Sequence, residues 1–114
     1  MARDLAALAD ILNAARNLVR LTAGLTQAAV EADAEKQSAL IGQFVILGEA
    51  ARRVSTGLRE AHPEIPWPKM VGMRNQIAHG YDEIDWSIVW ETISTHIPVL
   101  IGQLEPLVPT SEAD

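Results

Sequence analysis

Arg74, Asn75, His79, Tyr81, Asp82, Glu83 and Asp85 fall within one stretch of the chain, from Met73 to Trp86. No other segment concentrates reactive groups so densely. Arg74 carries a planar fork of donors that holds a phosphate and stays charged at any physiological pH. His79 is the side chain best suited to moving protons near neutrality. The two stand five residues apart, so on a straight helix they diverge by about 140°. Gly80 offers a way to join them, because a glycine just past a helix commonly takes the left-handed conformation that closes the last turn. His79 would then sit at a fraying helix end, free to lean toward Arg74 or toward a second copy of the site.

Three chemistries compete for these residues. A metal site could use His79, Asp82 and Asp85, but these ligands are scattered through a loop without a second histidine. A nucleophilic triad lacks its nucleophile, since no serine occupies a recognisable elbow and the chain has no cysteine. Metal-independent phosphoryl transfer remains. Against all three stand purely structural roles: an ion pair of Arg74 with Glu49 or Asp82, a capping contact for His79, and a packed Tyr81 with its hydroxyl hydrogen-bonded.

The pattern of an arginine, four residues, a histidine, one residue and a tyrosine, here Arg74, His79 and Tyr81, resembles the signature of the HepT-like toxins of the HEPN ribonuclease superfamily. The likeness continues in order through Arg3-Asp4-Leu5, Gly48-Glu49-Ala50-Ala51 and Pro63-Glu64-Ile65-Pro66-Trp67 before Met73-Arg74-Asn75. It implies an endoribonuclease toxin with Arg74 and His79 as catalytic pair and an active cleft where two subunits of a homodimer meet. RNA supplies its own nucleophile, the 2′-hydroxyl. His79 would exchange protons and Arg74 would hold the non-bridging oxygens, leaving a 2′,3′-cyclic phosphate and a 5′-hydroxyl. Asn75 could orient His79 or a phosphate oxygen. In the resembled family a minimal, MntA-like nucleotidyltransferase antitoxin adenylylates the tyrosine, here Tyr81, which would oppose RNA entry by charge and bulk. No metal and no cofactor is expected. The competing reading is a non-catalytic helical dimer that docks a nucleotidyltransferase.

The bulk numbers bound these readings. A chain of 114 residues is expected to form a single domain, 1–114, with a mobile tail from about 108. The absence of cysteine removes disulfides and thiolate metal sites and is compatible with a reducing cytosol. No signal-peptide pattern opens the sequence, and the longest uncharged apolar stretch, Gln37 to Gly48, is too short to span a bilayer. A soluble cytoplasmic protein is expected. The net charge of −6 argues against a broad nucleic-acid surface. Yet Arg52, Arg53, Arg59, Lys69 and Arg74 make up five of the nine basic residues, and they give either a local basic patch or a solvated helix face.

The elements that must position the motif are helical. Leu5, Leu8, Leu12, Ala15 and Val19, widened by Ile11, Leu18 and Leu25, predict a long amphipathic helix from about Arg3 to Val30, loosened near Gly24. Asp33 is a plausible cap for the next helix. There Leu40, Phe44, Leu47, Ala51, Val54 and Leu58 form one stripe, and Ile41, Val45 and Gly48 a second. So wide an apolar arc requires cover on two sides, from a central position or a subunit interface. His62 and Pro63 end this helix. Pro66 and Pro68 bracket Trp67 at the start of a third helix, whose stripe is Met70, Met73 and Ile77. Asp85 can cap a fourth, with Trp86, Val89 or Trp90, Ile93, Ile97, Leu100 and Leu104 inward, a kink at Pro98, and stops at Pro106 and Pro109. His96 reads as a packed or surface histidine. The predicted fold is all-α: an antiparallel, HEPN-like bundle of four to five helices, as a dimer.

Overall fold

The computed structural model describes residues 2–79 and 84–109, the side chains of 2 and 74–79 excepted. Among these the chain is all-helical, with no strand, and the four helical runs read from the sequence are present, three of them broken by local chemistry.

The first run is α1, Ala2–Thr22, and a separate short α2, Gln27–Glu31. The predicted single helix to Val30 is therefore interrupted. Thr22 turns its hydroxyl onto the carbonyl of Leu18 at 2.9 Å, and Gly24 takes a positive φ of 77°, the left-handed turn that closes a helix. Thr26 then restarts it, its side chain accepting from the Ala29 amide at 3.1 Å. The buried stripe of α1 is Ala7, Leu8, Ile11, Leu12, Ala14, Ala15 and Leu18. Leu5 and Val19 are exposed at 42% and 37%, so the stripe is centred nearer Ile11 and Leu18 than the first spacing suggested.

Asp33 caps α3, Ala34–Arg52, accepting from the Lys36 amide at 3.0 Å, as its position predicts. Leu40, Phe44, Leu47, Gly48, Ala50 and Ala51 are buried, and α3 packs against α1 on one side and α5, Trp67–His79, on the other. The stripe of Leu40, Phe44, Leu47 and Ala51 is thus buried within one chain by a central position in the bundle, while Ile41 and Val45 of the second stripe are half-buried. The small residues Gly48, Ala50 and Ala51 keep those contacts close.

The predicted continuation of this helix to Leu58 is corrected: α3 stops at Arg52, and α4, Thr56–Ala61, begins afresh. Ser55 is the reason. Its hydroxyl accepts from the Leu58 amide at 3.2 Å, which caps α4. Asp4 of α1 clamps it further, accepting from the Ser55 amide at 2.9 Å and from its hydroxyl at 2.7 Å. Arg59 closes the other side of the break by donating to the carbonyls of Ala51 and Val54 at 2.7 and 3.2 Å, which helix ends leave without intrahelical partners. His62 terminates α4 as expected, and its carbonyl accepts from the indole of buried Trp67 at 3.0 Å.

Asp85 caps α6, Trp86–Glu91. Val89, Ile93, Ile97, Leu100 and Leu104 are buried as predicted, and Val89 rather than Trp90 takes the inward place at its step. The expected kink at Pro98 takes a specific form. Residues Thr92–His96 make a π turn in which the Ile97 amide reaches back to Thr92, before α7, Ile97–Leu104. Pro98 has no amide hydrogen, and its ring would meet the carbonyl four residues back in an ordinary helix. A wider turn relieves that contact. Pro106 falls in a closing 3₁₀ turn, Glu105–Leu107. The predicted mobile tail lies, from Thr110 onward, outside the described residues.

Ser55→Ala removes a cap and the hydroxyl bond to Asp4 while keeping the amide one, and should destabilise the protein by about 1 kcal/mol, read as a lower urea midpoint at unchanged slope. The Ser55 hydroxyl and amide hold the Asp4 carboxyl below its ordinary range. The stability carried by that shift is present above the ordinary aspartate pKa and is lost as pH falls through the lowered one. The gap between wild type and Ser55→Ala should therefore narrow in acid.

Candidate active site

The third helical run carries the motif. Pro66 precedes α5 and Pro68 lies in its first turn, where the missing amide hydrogen costs no helical bond. The helix then runs unbroken through Arg74 and Asn75, and His79 is its last residue. His79 thus stands at the helix end that the sequence assigned to it. The register keeps positions 74 and 79 about 140° apart around the axis, so helical geometry alone does not bring them together in one chain. The side chains of Arg74, Asn75 and His79, and Gly80, Tyr81 and Asp82 entirely, lie outside the described residues.

Asp85 is described, and its carboxylate is committed. It accepts from the Ser87 amide at 3.0 Å, the Ile88 amide at 3.4 Å and the Ser87 hydroxyl at 2.5 Å. The hydrogen bonds from Ser87, side chain first and then backbone, lower its pKa. A carboxylate closing a helix in this way is poorly placed to join a metal site with His79 and Asp82. Among the described residues, no three histidine, aspartate or glutamate side chains are grouped so as to hold a metal ion.

The basic patch divides on inspection. Arg53 pairs with Asp10 at 2.7 Å, and Arg59 is spent on the end of α3. Arg52 and Lys69 are exposed. Lys69 lines a feature that sequence reasoning missed, a groove of 290 Å³ between the N-terminal half of α5 and α7. Phe44 and Leu47 of α3, Met70 and Leu100 contribute its apolar walls, and Lys69, His96 and Gln103 its polar ones. The available signal was Pro98, because the π turn it requires puts Thr92 and His96 at the groove.

Residues 11–107 match the family model described as HepT-like: Ribonuclease HepT-like. The chain belongs to that family. Among its relatives, a protein of Thermococcus cleftensis named "Probable ribonuclease HepT" is 37% identical over 75 residues, 66% of this chain and 68% of the relative. One from Methanocaldococcus jannaschii, named "Putative RNase MJ1380", is 32% identical over 104 residues, 90% of this chain and 95% of the relative. No solved structure matches the chain. The span matched by the HepT-like family reaches from the middle of α1 to the closing 3₁₀ turn, and so includes every helix that packs around α5. Among the described residues, no helix is long and apolar enough to cross a membrane.

If Asp85 serves as a cap, Asp85→Ala should lower the thermal midpoint while Asp85→Asn, which keeps an acceptor, leaves it nearly unchanged. Divalent cations should shift neither midpoint; a metal-dependent rise seen in wild type and lost in both variants would assign Asp85 to a metal instead.

Proposed function

We propose that this HepT-like protein is a metal-independent endoribonuclease toxin, held in check by a nucleotidyltransferase antitoxin that adenylylates Tyr81. The observation that carries the reading is family membership together with Arg74, His79 and Tyr81 at the family's spacing on and just after α5. The substrate is RNA, and the reaction uses what RNA brings. His79 takes the proton of a 2′-hydroxyl as its oxygen attacks the adjacent phosphorus, and Arg74 holds the charge gathering on the non-bridging oxygens. The bond from phosphorus to the 5′-oxygen breaks, that oxygen receives a proton, and a 2′,3′-cyclic phosphate remains. Asn75 orients the imidazole or a phosphate oxygen. No metal and no cofactor takes part.

The 140° between positions 74 and 79 supports a cleft shared by two subunits, in which one copy's arginine meets the other copy's histidine. An AMP group on Tyr81 would add a phosphate and a purine to that cleft and oppose RNA on both counts. On this reading the protein works in the cytoplasm, where it would meet both its RNA substrate and its antitoxin. The net charge of −6 favours a second reading, a non-catalytic dimer that docks a nucleotidyltransferase. Under that reading the purified protein leaves RNA intact and still co-purifies with the enzyme.

Purified His79→Ala should cleave RNA about 10²-fold more slowly or worse, Arg74→Ala should be similarly impaired, and a chelator should leave wild-type cleavage unchanged. Tyr81→Phe should stay toxic beside an active antitoxin. Cleavage that survives His79→Ala would remove the mechanism.

A further inference from the structure

The groove between α5 and α7 is used by nothing described so far. Its walls are apolar, yet three polar side chains stand at it with unspent capacity. The ammonium of Lys69 and the imidazole of His96 make no hydrogen bond or ion pair among the described residues. Gln103 donates its amide nitrogen to the Glu64 carbonyl at 3.1 Å, which leaves its side-chain oxygen as an acceptor. The volume of 290 Å³ lies just below the roughly 300–1,000 Å³ of small-molecule sites. It suits one flat ring system rather than a dinucleotide.

We infer that this groove is a nucleobase subsite, which takes one unstacked base of the RNA beside the scissile phosphate. The inference rests on the ribonuclease reading. Proteins that read single-stranded RNA lodge a splayed base against apolar or aromatic side chains and bond its edge. Pro66, Met73 and Val99, the accessible apolar lining over the buried Phe44, Met70 and Leu100, offer the surface, and Gln103 and His96 the edge contacts. Lys69 supplies a cation for a phosphate. Glu64, which also lines the groove, carries the opposite sign. It stands 3.5 Å from the His62 ring, and its carboxylate suits an exocyclic amino group rather than a phosphate, so base and backbone have distinct ends. Position 74 follows Met70 by four residues, about 6 Å along the helix axis and about 40° around it. The same side of α5 therefore leads from the groove to the arginine.

Two measurements on the full chain test this. The first is binding of mixed-sequence 2′-O-methyl oligoribonucleotides, which lack the nucleophile and report affinity without cleavage. The second is sequencing of the ends produced from cleavable RNA. Lys69→Gln should weaken binding of the analogue by roughly tenfold whatever its sequence, and His96→Ala and Gln103→Ala should relax the base preference at one position next to the cut. If wild type cleaves RNA and all three variants keep its affinity and its cut-site profile, the subsite falls and the ribonuclease reading stands. Absence of cleavage, with analogue binding that still depends on Lys69, Gln103 and His96, would remove the ribonuclease and keep the subsite. Loss of a dimer in these variants would make the groove a subunit contact and overturn the inference.

Discussion

The arrangement depends on α3 being covered from two sides. Leu40, Phe44 and Leu47 are each at most 2% exposed, and burying side chains of that size contributes about 1.5–3 kcal/mol apiece. Three such residues rival the whole net stability of a small domain, about 5–15 kcal/mol. The ion pairs that also tie the bundle together, Arg16 to Glu105 and Arg53 to Asp10, are about half exposed. Pairs of that kind contribute about 0–1 kcal/mol. They set register between elements rather than hold them. What fixes α5, and with it the motif, is the surface α3 offers, together with Trp67, buried at 4% and tied by its indole to the end of α4.

A second constraint acts from the far side of the bundle. Pro98 cannot sit in an ordinary helix without losing a hydrogen bond and meeting a carbonyl, and the chain answers with the π turn ahead of it. That turn is part of why α7 does not seal against α5. Ile93 within the π turn and Ile97 just after it are both buried, so the core is continuous beneath it. The disturbance is confined to the outer face, and the groove opens there.

The fold was legible wherever one residue type had one physical role. Asp33 and Asp85 announced helix starts because a short carboxylate accepts from exposed amides. The wide apolar arc of α3 announced a helix covered twice. One break was harder to read, since it depends on a partner distant in sequence: Ser55 ends one helix and begins another with Asp4, 51 residues away, there to hold it. The basic patch stayed open for the same reason. In the sequence Arg59 belongs either to that patch or to a solvated helix face; in the fold it binds carbonyls at the end of a helix. Of the candidate site, what could be read was the motif, its helix and the placement of His79 at the helix end. The groove was not legible, because it is shaped by elements far apart in the chain that no single local pattern connects.

Register gives the strongest argument for how such a site would be assembled. Counting from Met70 in the groove, position 74 lies about 40° away and position 79 about 180° away. The proposed phosphate ligand therefore continues the groove side of α5, while the proposed proton carrier belongs to the opposite side. Within a straight helix these halves cannot close on one phosphodiester. Two copies related by a two-fold axis can do so, because such an interface sets residue i of one copy against residue j of the other, and j against i. On this view the five-residue spacing is what makes the chain a half-site, and one RNA strand would run from the groove of one subunit, past its arginine, to the histidine of the next.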